Sequence, residues 1–426
     1  MHRIFLPACL VAFLLFSFTG DKQETIFIDS NFSNADLQMK KMLENTVTAP
    51  LAFPRTIDST NTLVTTNMYD WTPGFFPGCL WYTYEYTQDA SIAAAAKTWT
   101  EKLEPLKDFT KHHDLGFMMY CSYGNAYRLT GNESYKNILV QGAKSLCTRF
   151  NAKAGSIKSW NRFTSWGTDK TPYFFPVIVD NMMNLEMLFF ASTVTGDTTY
   201  RHIAKTHALT AMKNQVRKDY SSFHVVCYDS TTGQVLTRQT AQGYADNSTW
   251  ARGQAWAIYG FTMCYRETKD IRFLQTAQGM ADWYLNNKNL PADKVPYWDF
   301  NVGQKGYTPG ASSWAKDHPL KLRDASAAAI TSSALIELST YSAPTKSKKY
   351  KEAAIAMLHS LSSPAYRAPV GSNGHFILQH SVGALPYHTE LDVPLVYADY
   401  YFLEALNRYR KLLKKEDVLA KRTVKE

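Results

Sequence analysis

The sequence predicts an all-α protein in which six buried helices are ringed by six outer helices, an (α/α)6 barrel. Segments of helical length that are apolar on every side alternate along the chain with amphipathic segments that carry their charges on one side. A short turn of one recurring form joins the members of most pairs. Because a helix that is apolar all round is buried and an amphipathic helix covers it, six pairs indicate two concentric layers.

The recurring turn consists of Thr, then Gly or a polar residue, then Asp or Asn, followed by a new helix. It begins at Tyr86, Leu129, Val194 and Glu267, and in a looser form at Ala343. Asp and Asn suit a helix N-cap because their side-chain oxygen accepts a hydrogen bond from a free backbone N–H. Gly suits the C-terminal turn of the preceding helix, so each turn predicts one helix end and one helix start.

The apolar segments, which we expect to form the inner layer, are "FPGCLWYTYEY", "GFMMYCSYGNAYRL", "NMMNLEMLFFAST", "GQAWAIYGFTMCYRE", "ASAAAITSSALIELSTY" and "VYADYYFLEALNRYRKL". An amphipathic segment follows each turn, and one more, "NADLQMKKMLENTV", precedes the first apolar segment. "SYKNILVQGAKSLCTRF" is typical, with an apolar period near that of an α-helix. We therefore expect one domain from about residue 25 to 412.

The two ends of the chain have a different composition. Residues 1–20 combine a basic Arg3, an apolar run and the small residues Thr19 and Gly20, a pattern typical of a secretory signal peptide. The run is too short to span a bilayer comfortably, so we expect a periplasmic or secreted protein that is free of the membrane after signal removal. Residues 413–426 form a charged tail that we expect to be solvated.

Composition excludes several classes of function. The chain has 45% hydrophobic and 14% aromatic residues, which describes a globular protein with a large core. It lacks a stacked-aromatic nucleic-acid motif, a glycine-rich phosphate loop and a Ser nucleophile elbow, so we expect no nucleic-acid partner and no cofactor. The five cysteines after the signal fit neither a zinc motif nor a disulfide framework, and we expect most of them to be buried.

The loops predict where function lies. Links from inner to outer helices are short turns, whereas the links 151–179, 218–251 and 289–323 into inner helices are long. Long loops in a compact domain usually carry function, so the site is expected at the end of the barrel where the inner helices begin.

The residues before the inner helices are unusually polar and aromatic. They read "YDWTPGFFPG", "HHDLGF", "VDNMMN", "GYADNSTWARGQAW", "KLRDAS" and "YHTELDVPLVYADYY". Carboxylates, histidines, tryptophans and an arginine therefore collect at one mouth of the barrel. Sugar rings stack on aromatic side chains and their hydroxyls need converging donors and acceptors, so this mouth indicates a carbohydrate site.

Structural roles are open for each of these residues. Asp114 and Asp180 can be plain N-caps, His113 a satisfied buried histidine, and Arg252 the partner of a loop acid. The tryptophans can simply pack the barrel. "HHD" lacks a separated partner at the usual ligand spacing, so we expect no catalytic metal.

At "HHDLGF", "VDNMMN" and "GYADNSTWARGQAWAIYG" the chain resembles the unsaturated glucuronyl hydrolases, glycoside hydrolase family eighty-eight. The resemblance runs from "WTPGFFPG" to "ELDVPLVYADYYFLEAL" and so covers nearly all of the chain after the signal. It implies the same six-hairpin barrel. It also implies an enzyme that removes an unsaturated uronic acid from the non-reducing end of oligosaccharides made by polysaccharide lyases.

The resemblance implies roles for individual residues. Asp180 would be the general acid and base, and Asp114, preceded by His113, the second carboxylate. The residues that would line the sugar site are Trp71, Phe75, Trp160, His224, Gln242, Trp250, Arg252 and Trp256. Arg252 and His224 are both candidates to contact the uronate, and which of them meets its carboxylate stays open.

Three alternatives to this function remain open, and the substrate within the class is open as well. One is the related unsaturated rhamnogalacturonyl hydrolase, one a sugar epimerase on the same barrel, and one a binding protein that has lost catalysis. Glycosaminoglycan fragments are the leading substrate group. The loop "QHSVGALPYHTE" offers Ser381 and His388 but no Lys or Arg, which argues against a strong sulfate pocket in that loop.

Overall fold

The protein was analysed as a computed structural model that describes residues 8–46, 52–168 and 170–419, with side chains from residue 22 onward. Helices alternate between an outer and an inner layer, which confirms the predicted fold class. The outer helices are α1 (Ala8–Thr46), α3 (Ala90–Glu101), α5 (Glu133–Cys147), α7 (Thr198–Asn214), α9 (Ile271–Asn286) and α11 (Pro344–Leu361).

The inner helices are α2 (Phe75–Thr87), α4 (Asn125–Thr130), α6 (Leu185–Thr195), α8 (Ala251–Thr268), α10 (Ala325–Thr340) and α12 (Val396–Leu413). Two of them are extended towards the mouth by other helical forms. A π-helical segment, Gly116–Gly124, leads into α4, and a 3-10 segment, Val179–Asn184, leads into α6. Such departures from the α-helix are frequent at functional sites.

The inner helices form a closed ring. The π-helical segment contacts α2 and α6, the 3-10 segment contacts α8, and α8, α10 and α12 follow in order. Contact between α12 and α2 closes the ring. In α10 every residue from Ala325 to Ser339 is buried, as expected for a helix that is apolar on all sides.

Asp or Asn caps the outer helices where the turns predicted them. The cap side chain accepts a hydrogen bond from the backbone N–H two residues on at Asp89, Asn132, Asp197 and Asp270. Gly131 and Gly196, which end the preceding inner helices, adopt left-handed φ angles of 67° and 76°. The looser fifth turn has no side-chain cap, and α11 begins instead with Pro344 at its first position.

Replacing Asn132 with Ala should lower the free energy of unfolding by about 1 kcal/mol, because the backbone N–H of Ser134 then loses its partner 3.0 Å away. Asn132→Asp is the matched control, since a carboxylate accepts the same hydrogen bond. Thermal unfolding followed by circular dichroism measures both variants. An Ala variant as stable as the Asp variant would contradict the capping role.

The strands lie in the loops and are short. They are β1 (Phe53–Ile57), β2 (Leu63–Thr66), β3 (Phe150–Asn151), β4 (Ser156–Ile157), β5 (Phe163–Thr164), β6 (Pro172–Tyr173), β7 (Pro176–Ile178), β8 (Val225–Tyr228), β9 (Val235–Gln239), β10 (Ser381–Ala384) and β11 (Thr389–Val393). All pairs are antiparallel, and β7, β8 and β9 make the three-stranded sheet. This sheet and the β10–β11 hairpin fix the loops beside the mouth.

The far end of the barrel holds a network of buried charges. Arg266 Nη1 lies 3.0 Å from Glu337 Oε1, and Arg408 Nη1 lies 3.1 Å from Glu337 Oε2. Tyr82 donates a 2.8 Å hydrogen bond to Glu404. Arg266, Arg408, Tyr82 and Glu404 border a cavity of about 300 Å³, and none of the residues predicted for the sugar site is among its described lining residues.

The chain ends differ from expectation in two places. Helix α1 begins well before the predicted amphipathic segment, and Ile28 and Phe32 are already buried in the core. Val418 in the predicted solvated tail is also buried, and it lines the far cavity. Residues 1–7 of the predicted signal and residues 420–426 of the tail lie outside the described residues.

The prediction that most of the cysteines are buried can be compared with the structure. Four of the five cysteines after residue 20 are buried, and Cys147 is half-buried, as expected for small hydrophobic side chains. Within the part of the chain that the structure describes, no helix is long and apolar enough to cross a membrane.

Candidate active site

Asp114 and Asp180 lie at the same end of the ring, where the inner helices begin. Asp114 stands just before the π-helical segment, and Asp180 is the second residue of the 3-10 segment. The two elements approach closely because residue 116 is glycine, where a Cβ would lie 2.4 Å from the Cα of Asn184. Each aspartate is 8% exposed, so both carboxyl groups are largely withdrawn from bulk water.

Asp114 is held as an anion by its neighbours. Its Oδ2 lies 3.4 Å from His112 Nδ1, and its Oδ1 lies 3.4 Å from His113 Nε2. Burial opposes ionisation, but these two histidines and the side chain of Asn184 outweigh it and hold the pKa of Asp114 below its usual range. No side-chain capping bond is made at the start of this segment among the described residues, so the plain N-cap reading does not account for Asp114.

The pKa values of His112 and His113 are shifted in opposite directions although the two residues are adjacent. Burial lowers the pKa of His113 to about 4, so this ring is neutral near neutral pH. His112 is half-buried; this partial burial lowers its pKa, but the hydrogen bond and charge of Asp114 outweigh it and raise the pKa above the usual value. Its Nε2 lies 3.1 Å from the carbonyl oxygen of Tyr69, which ties the Asp114 side of the mouth to the loop that carries Trp71.

Asp180 has the properties of a general acid. Burial raises its pKa to about 7; the nearby charge of Arg252 opposes the rise and that of Asp114 adds to it. Its Oδ1 is buried and has no hydrogen-bond partner within the described residues. Because proton transfer is most effective when the pKa lies near the working pH, this carboxyl group is suited both to give and to take a proton.

His224 faces Asp180 with a fixed tautomer. Its Nδ1 accepts hydrogen bonds from the backbone N–H groups of Ala241 and Gln242, both at 3.2 Å. A neutral imidazole that accepts at Nδ1 carries its proton on Nε2, and Nε2 lies 3.8 Å from Asp180 Oδ1. Burial and the charge of Arg252 lower the pKa of His224 to about 3, so its Nε2–H acts only as a neutral donor.

Arg252 is buried and largely engaged by the protein itself. Its Nη1 lies 3.2 Å from Asp324 Oδ2, and its two terminal nitrogens donate to the carbonyl oxygens of Val382 and Gly383. Pairing with a loop acid, one of the alternatives for this residue, is therefore present. Its Nε has no partner among the described residues, and direct contact with a uronate stays a prediction.

The aromatic residues divide into an accessible group and a supporting group. Trp71 is half-buried and packs against Phe75, Phe117 and Tyr397, with ring centroids 5.7, 5.6 and 4.8 Å away. Phe75 and Trp256 are fully buried, so in this structure they support the mouth from below. Direct contact of either with a sugar stays a prediction.

The opposite wall of the mouth is formed by Trp160, Trp250 and Gln242. The Trp250 ring lies 4.5 Å from His224 and also 4.5 Å from the guanidinium carbon of Arg252, so it packs between them. Trp160 is half-buried, with its ring centroid 6.4 Å from that of His224. Gln242 Nε2 lies 3.4 Å from the Gly383 carbonyl oxygen. Of the residues named for the sugar site, His113 thus lies beside Asp114 and His224 beside Asp180, and contact of the aromatic residues with a sugar stays a prediction.

Sequence reasoning did not name Asn184, Asp324 and Tyr397. Asn184 Oδ1 accepts the Phe117 N–H at 3.0 Å, and its Nδ2 lies 3.5 Å from His113, so it fixes the two catalytic segments to each other. Asn184 and Asp324 stand directly before inner helices and Tyr397 is the second residue of α12, so a position at the start of an inner helix is the signal that would have found them. Among the described residues, no group of three or more His, Cys, Asp or Glu is placed to hold a metal ion.

Comparison with known proteins shows the family of this chain. The profile of Glycosyl Hydrolase Family 88 matches residues 52–267. An unsaturated glucuronyl hydrolase of Formosa agariphila is 44% identical over 93% of this chain and 94% of its own length. An unsaturated chondroitin disaccharide hydrolase of Streptococcus agalactiae is 36% identical over 80% of this chain and 82% of its own.

The solved structures show the same fold. The crystal structure of an unsaturated glucuronyl hydrolase specific for heparin superimposes with a TM-score of 0.82 at 45% identity. The match covers 92% of this chain and 98% of the other. With the barrel, the paired aspartates and these matches in agreement, the chain belongs to glycosyl hydrolase family 88 and is a glycosidase.

Proposed function

We propose that this enzyme removes the unsaturated 4,5-uronic acid from the non-reducing end of glycosaminoglycan oligosaccharides that a lyase has cut. The observation that carries the proposal is the pair of buried carboxyl groups at the mouth. Asp180 has a pKa raised to about 7, whereas the pKa of Asp114 is held below its usual range. One group can hold a proton while its neighbour stays charged, which is the division of roles that acid catalysis needs.

The reaction begins with protonation of a vinyl ether. The substrate has a C4=C5 double bond beside its ring oxygen, and Asp180 delivers its proton to C4. The positive charge that develops is shared by C5 and the ring oxygen, where the Asp114 anion stabilises it. Water then adds to C5 and gives a proton back to the Asp180 carboxylate. The resulting hemiketal opens, the glycosidic bond breaks, and a keto acid leaves.

The surrounding residues position the sugar for this step. The Nε2–H of His224 points towards Asp180 and can donate to a hydroxyl or to the attacking water. Trp71 and Trp160 offer aromatic faces at the two sides of the mouth. Arg252 adds positive charge near the uronate while its terminal nitrogens hold the β10–β11 hairpin in place.

The mechanism gives a definite dependence on pH. Asp180 must be protonated to start the reaction, so kcat/KM should be high below about pH 7 and fall towards tenfold for each pH unit above it. Asp114 must stay ionised, so the acid limb should lie below the usual range of an aspartate. Initial rates across pH 3 to 9 in buffers of constant ionic strength measure both limbs. A flat profile through neutral pH would contradict the role of Asp180.

The names of the relatives support a glycosaminoglycan source, since they specify chondroitin disaccharides and heparin. The geometry disfavours an epimerase, which would need two histidines free to exchange protons with one sugar carbon. His113 is fully buried, and the Nδ1 of His224 is occupied by two backbone N–H groups. A pectin-derived substrate is the alternative to a glycosaminoglycan substrate, and the same assay tests both.

One assay tests the proposal. The protein is incubated with lyase-generated disaccharides from chondroitin, heparin and rhamnogalacturonan, and the ultraviolet absorbance of the conjugated C=C–carboxylate is followed. The proposal expects that absorbance to disappear and a keto acid to form with the first two substrates. Persistence of the absorbance with every disaccharide would refute it, and loss with the pectin fragment alone would move the enzyme to the rhamnogalacturonyl class.

We also propose that the enzyme acts in the periplasm or outside the cell, on the basis of the signal pattern in residues 1–20. Cell fractionation with N-terminal sequencing of the mature protein tests this independently of activity. An intact N-terminus in the cytoplasmic fraction would contradict it.

A further inference from the structure

Arg55 joins two loops that border the mouth and takes no part in the chemistry above. It stands in β1, and its side chain is half-buried. Its Nη1 donates to Asp70 Oδ2, and its Nε and Nη2 donate to Glu390 Oε1 and Oε2 at 2.5 and 3.2 Å. One guanidinium therefore binds two carboxylates that lie far apart in sequence. Asp70, Arg55 and Glu390 together form the Arg55 clamp.

The Asp70 arm of the clamp ends at Trp71. Asp70 Oδ1 accepts hydrogen bonds from the backbone N–H and the hydroxyl group of Thr72, at 2.9 and 2.7 Å. Asp70 Oδ2 is bound to Arg55, so both oxygens are engaged and the residues on either side of Trp71 are fixed. Trp71 is the half-buried tryptophan of the mouth, and its ring centroid lies 4.8 Å from that of Tyr397.

The Glu390 arm ends at the β10–β11 hairpin. Glu390 crosses the hairpin over Gly383, where a Cβ would lie 2.1 Å from Glu390 Oε2 and 2.6 Å from its Cβ. Glycine at residue 383 therefore leaves room for the carboxylate in the position where it meets Arg55. The Gly383 carbonyl oxygen accepts hydrogen bonds from Arg252 and Gln242, two of the residues named for the sugar site. Both arms of the clamp thus end on that site.

The backbone of the hairpin indicates that side-chain contacts hold it in place. Glu390 has a φ of 54°, and His388 and Asp392 have φ angles of 55° and 57°. Residues other than glycine rarely adopt this left-handed region, and they persist there when surrounding contacts over-determine them. His388 is held by a ring stack, Asp392 by an exposed ion pair and Glu390 by Arg55. Of these three contacts, the one at Glu390 links the hairpin to the loop that carries Trp71.

Arginine is suited to the centre of this clamp. Its planar fork of donors can bind one carboxylate with two nitrogens and a second carboxylate with the third. Burial lowers the pKa of Arg55, but the hydrogen bond and charge of Glu390 and the charge of Asp70 outweigh burial and raise that pKa, so the guanidinium stays charged. Asp70 and Glu390 are also half-buried, so water screens the ion pairs only in part.

We propose that Arg55 is a positioning residue that holds the Trp71 loop and the β10–β11 hairpin at the separation that the uronate needs. The inference rests on the proposed function, in which Trp71 offers an aromatic face to that sugar. Arg55 acts through Trp71 on one side and through Gly383 on the other. Without the clamp, the two loops lose their common partner, so the aromatic face and the polar groups of the mouth are no longer held together and the uronate binds less tightly.

The effect of the clamp should fall on binding and not on the chemical step. The Trp71 loop and the hairpin hold parts of the sugar that do not react, so their contacts are alike in the ground state and the transition state. Loss of such contacts raises KM and leaves kcat nearly unchanged. We expect Arg55→Met to raise KM about tenfold, and to raise the dissociation constant in an Asp180→Asn background by the same factor, with kcat within about threefold of wild type.

The experiment compares Arg55→Met, Arg55→Lys, Asp70→Asn and Glu390→Gln with wild type on an unsaturated, unsulfated chondroitin disaccharide. Arg55→Lys keeps the charge without the planar fork and should recover part of the lost affinity. Each carboxylate variant severs one arm by a small change and should raise KM, which tests the clamp even where Arg55→Met does not fold. Steady-state rates give kcat and KM, calorimetry in the Asp180→Asn background gives the dissociation constant, and unfolding temperatures show that each variant is folded.

Lys40 provides the matched control. Its Nζ lies 2.8 Å from Asp36 Oδ2 and 2.8 Å from Asp89 Oδ2, so it is also a cation between two carboxylates of different segments. It joins α1 to the start of α3, and because α3 begins where the inner helix α2 ends, this cluster lies at the far end of the barrel. Lys40→Met should leave KM and the dissociation constant unchanged, whatever it does to the unfolding temperature.

A double variant separates the clamp from two independent effects. If Arg55 and Glu390 act as one unit, Arg55→Met combined with Glu390→Gln should bind the disaccharide no more weakly than Arg55→Met alone. Additive losses, a dissociation constant of folded Arg55→Met within about twofold of its parent, or a loss confined to kcat would overturn the positioning role while the enzyme remains a uronate hydrolase. Absence of turnover of every disaccharide by wild type overturns the proposed function instead.

Discussion

Replacing Asp180 with Asn is expected to lower kcat by about 10³-fold or more while substrate binding stays measurable. An amide cannot deliver a proton to C4 or accept one from water, so both proton transfers lose their group. Asn has nearly the same size and leaves the mouth filled. Because Asp180 Oδ1 makes no hydrogen bond within the described residues, the substitution breaks no contact on that side and should not unfold the protein.

Glu186→Gln provides the matched control for this variant. Burial also raises the pKa of Glu186 to about 7, but Glu186 lies at the far end of the barrel, where it pairs with Arg266. Glu186 is half-buried, so both variants remove a weakly acidic carboxyl group that is partly or wholly withdrawn from water, and only one removes it from the mouth. Steady-state rates, calorimetric binding and unfolding temperature are compared for the two. Wild-type kcat in Asp180→Asn, or an equal loss in Glu186→Gln, would remove Asp180 from the mechanism.

Replacing Asp114 with Asn is expected to lower kcat by about 10²-fold and to change the pH profile as well. The Asp114 anion stabilises the positive charge at C5 and the ring oxygen, and it also raises the pKa of Asp180. Without that charge the pKa of Asp180 falls, so the alkaline limb of kcat/KM should move to lower pH.

The direction of that shift distinguishes an electrostatic role from a structural one. A general loss of packing would lower the rate without moving the alkaline limb. Asp114→Glu serves as the control, since it keeps the charge and should keep the limb near its wild-type position even if the rate falls. An unchanged limb in Asp114→Asn would show that Asp114 does not act on Asp180.

The layers of the fold could be predicted because their signals are local. Asp89, Asn132, Asp197 and Asp270 cap helices at the positions that the turns indicated, since a cap depends on hydrogen bonds to a residue two positions away. The alternation of apolar and amphipathic segments placed the inner helices, and with them the end of the barrel that carries Asp114 and Asp180. Site residues could be predicted where they stand just before or at the start of an inner helix.

The partners of the site residues were not predictable because they are distant in sequence. Arg252 is held by the carbonyl groups of Val382 and Gly383, and backbone groups carry no sequence signal. The tautomer of His224 likewise depends on two backbone N–H groups. Full burial of Trp256 follows from the way neighbouring rings pack around it. The sequence shows that both tryptophans stand near the start of an inner helix. It does not show that Trp256 is buried and Trp71 accessible.

The closure of the ring between α2 and α12 has a consequence for biosynthesis. These helices are separated by most of the chain, so the last inner wall arrives only when synthesis is nearly complete. Until α12 is synthesised, the apolar surfaces of α2 and α10 that pack against it stay exposed. Contacts of such long range form slowly, and the waiting surface invites association with other chains. Yield during expression should therefore depend on chaperone supply and on slow translation at low temperature more than on the stability of the finished toroid.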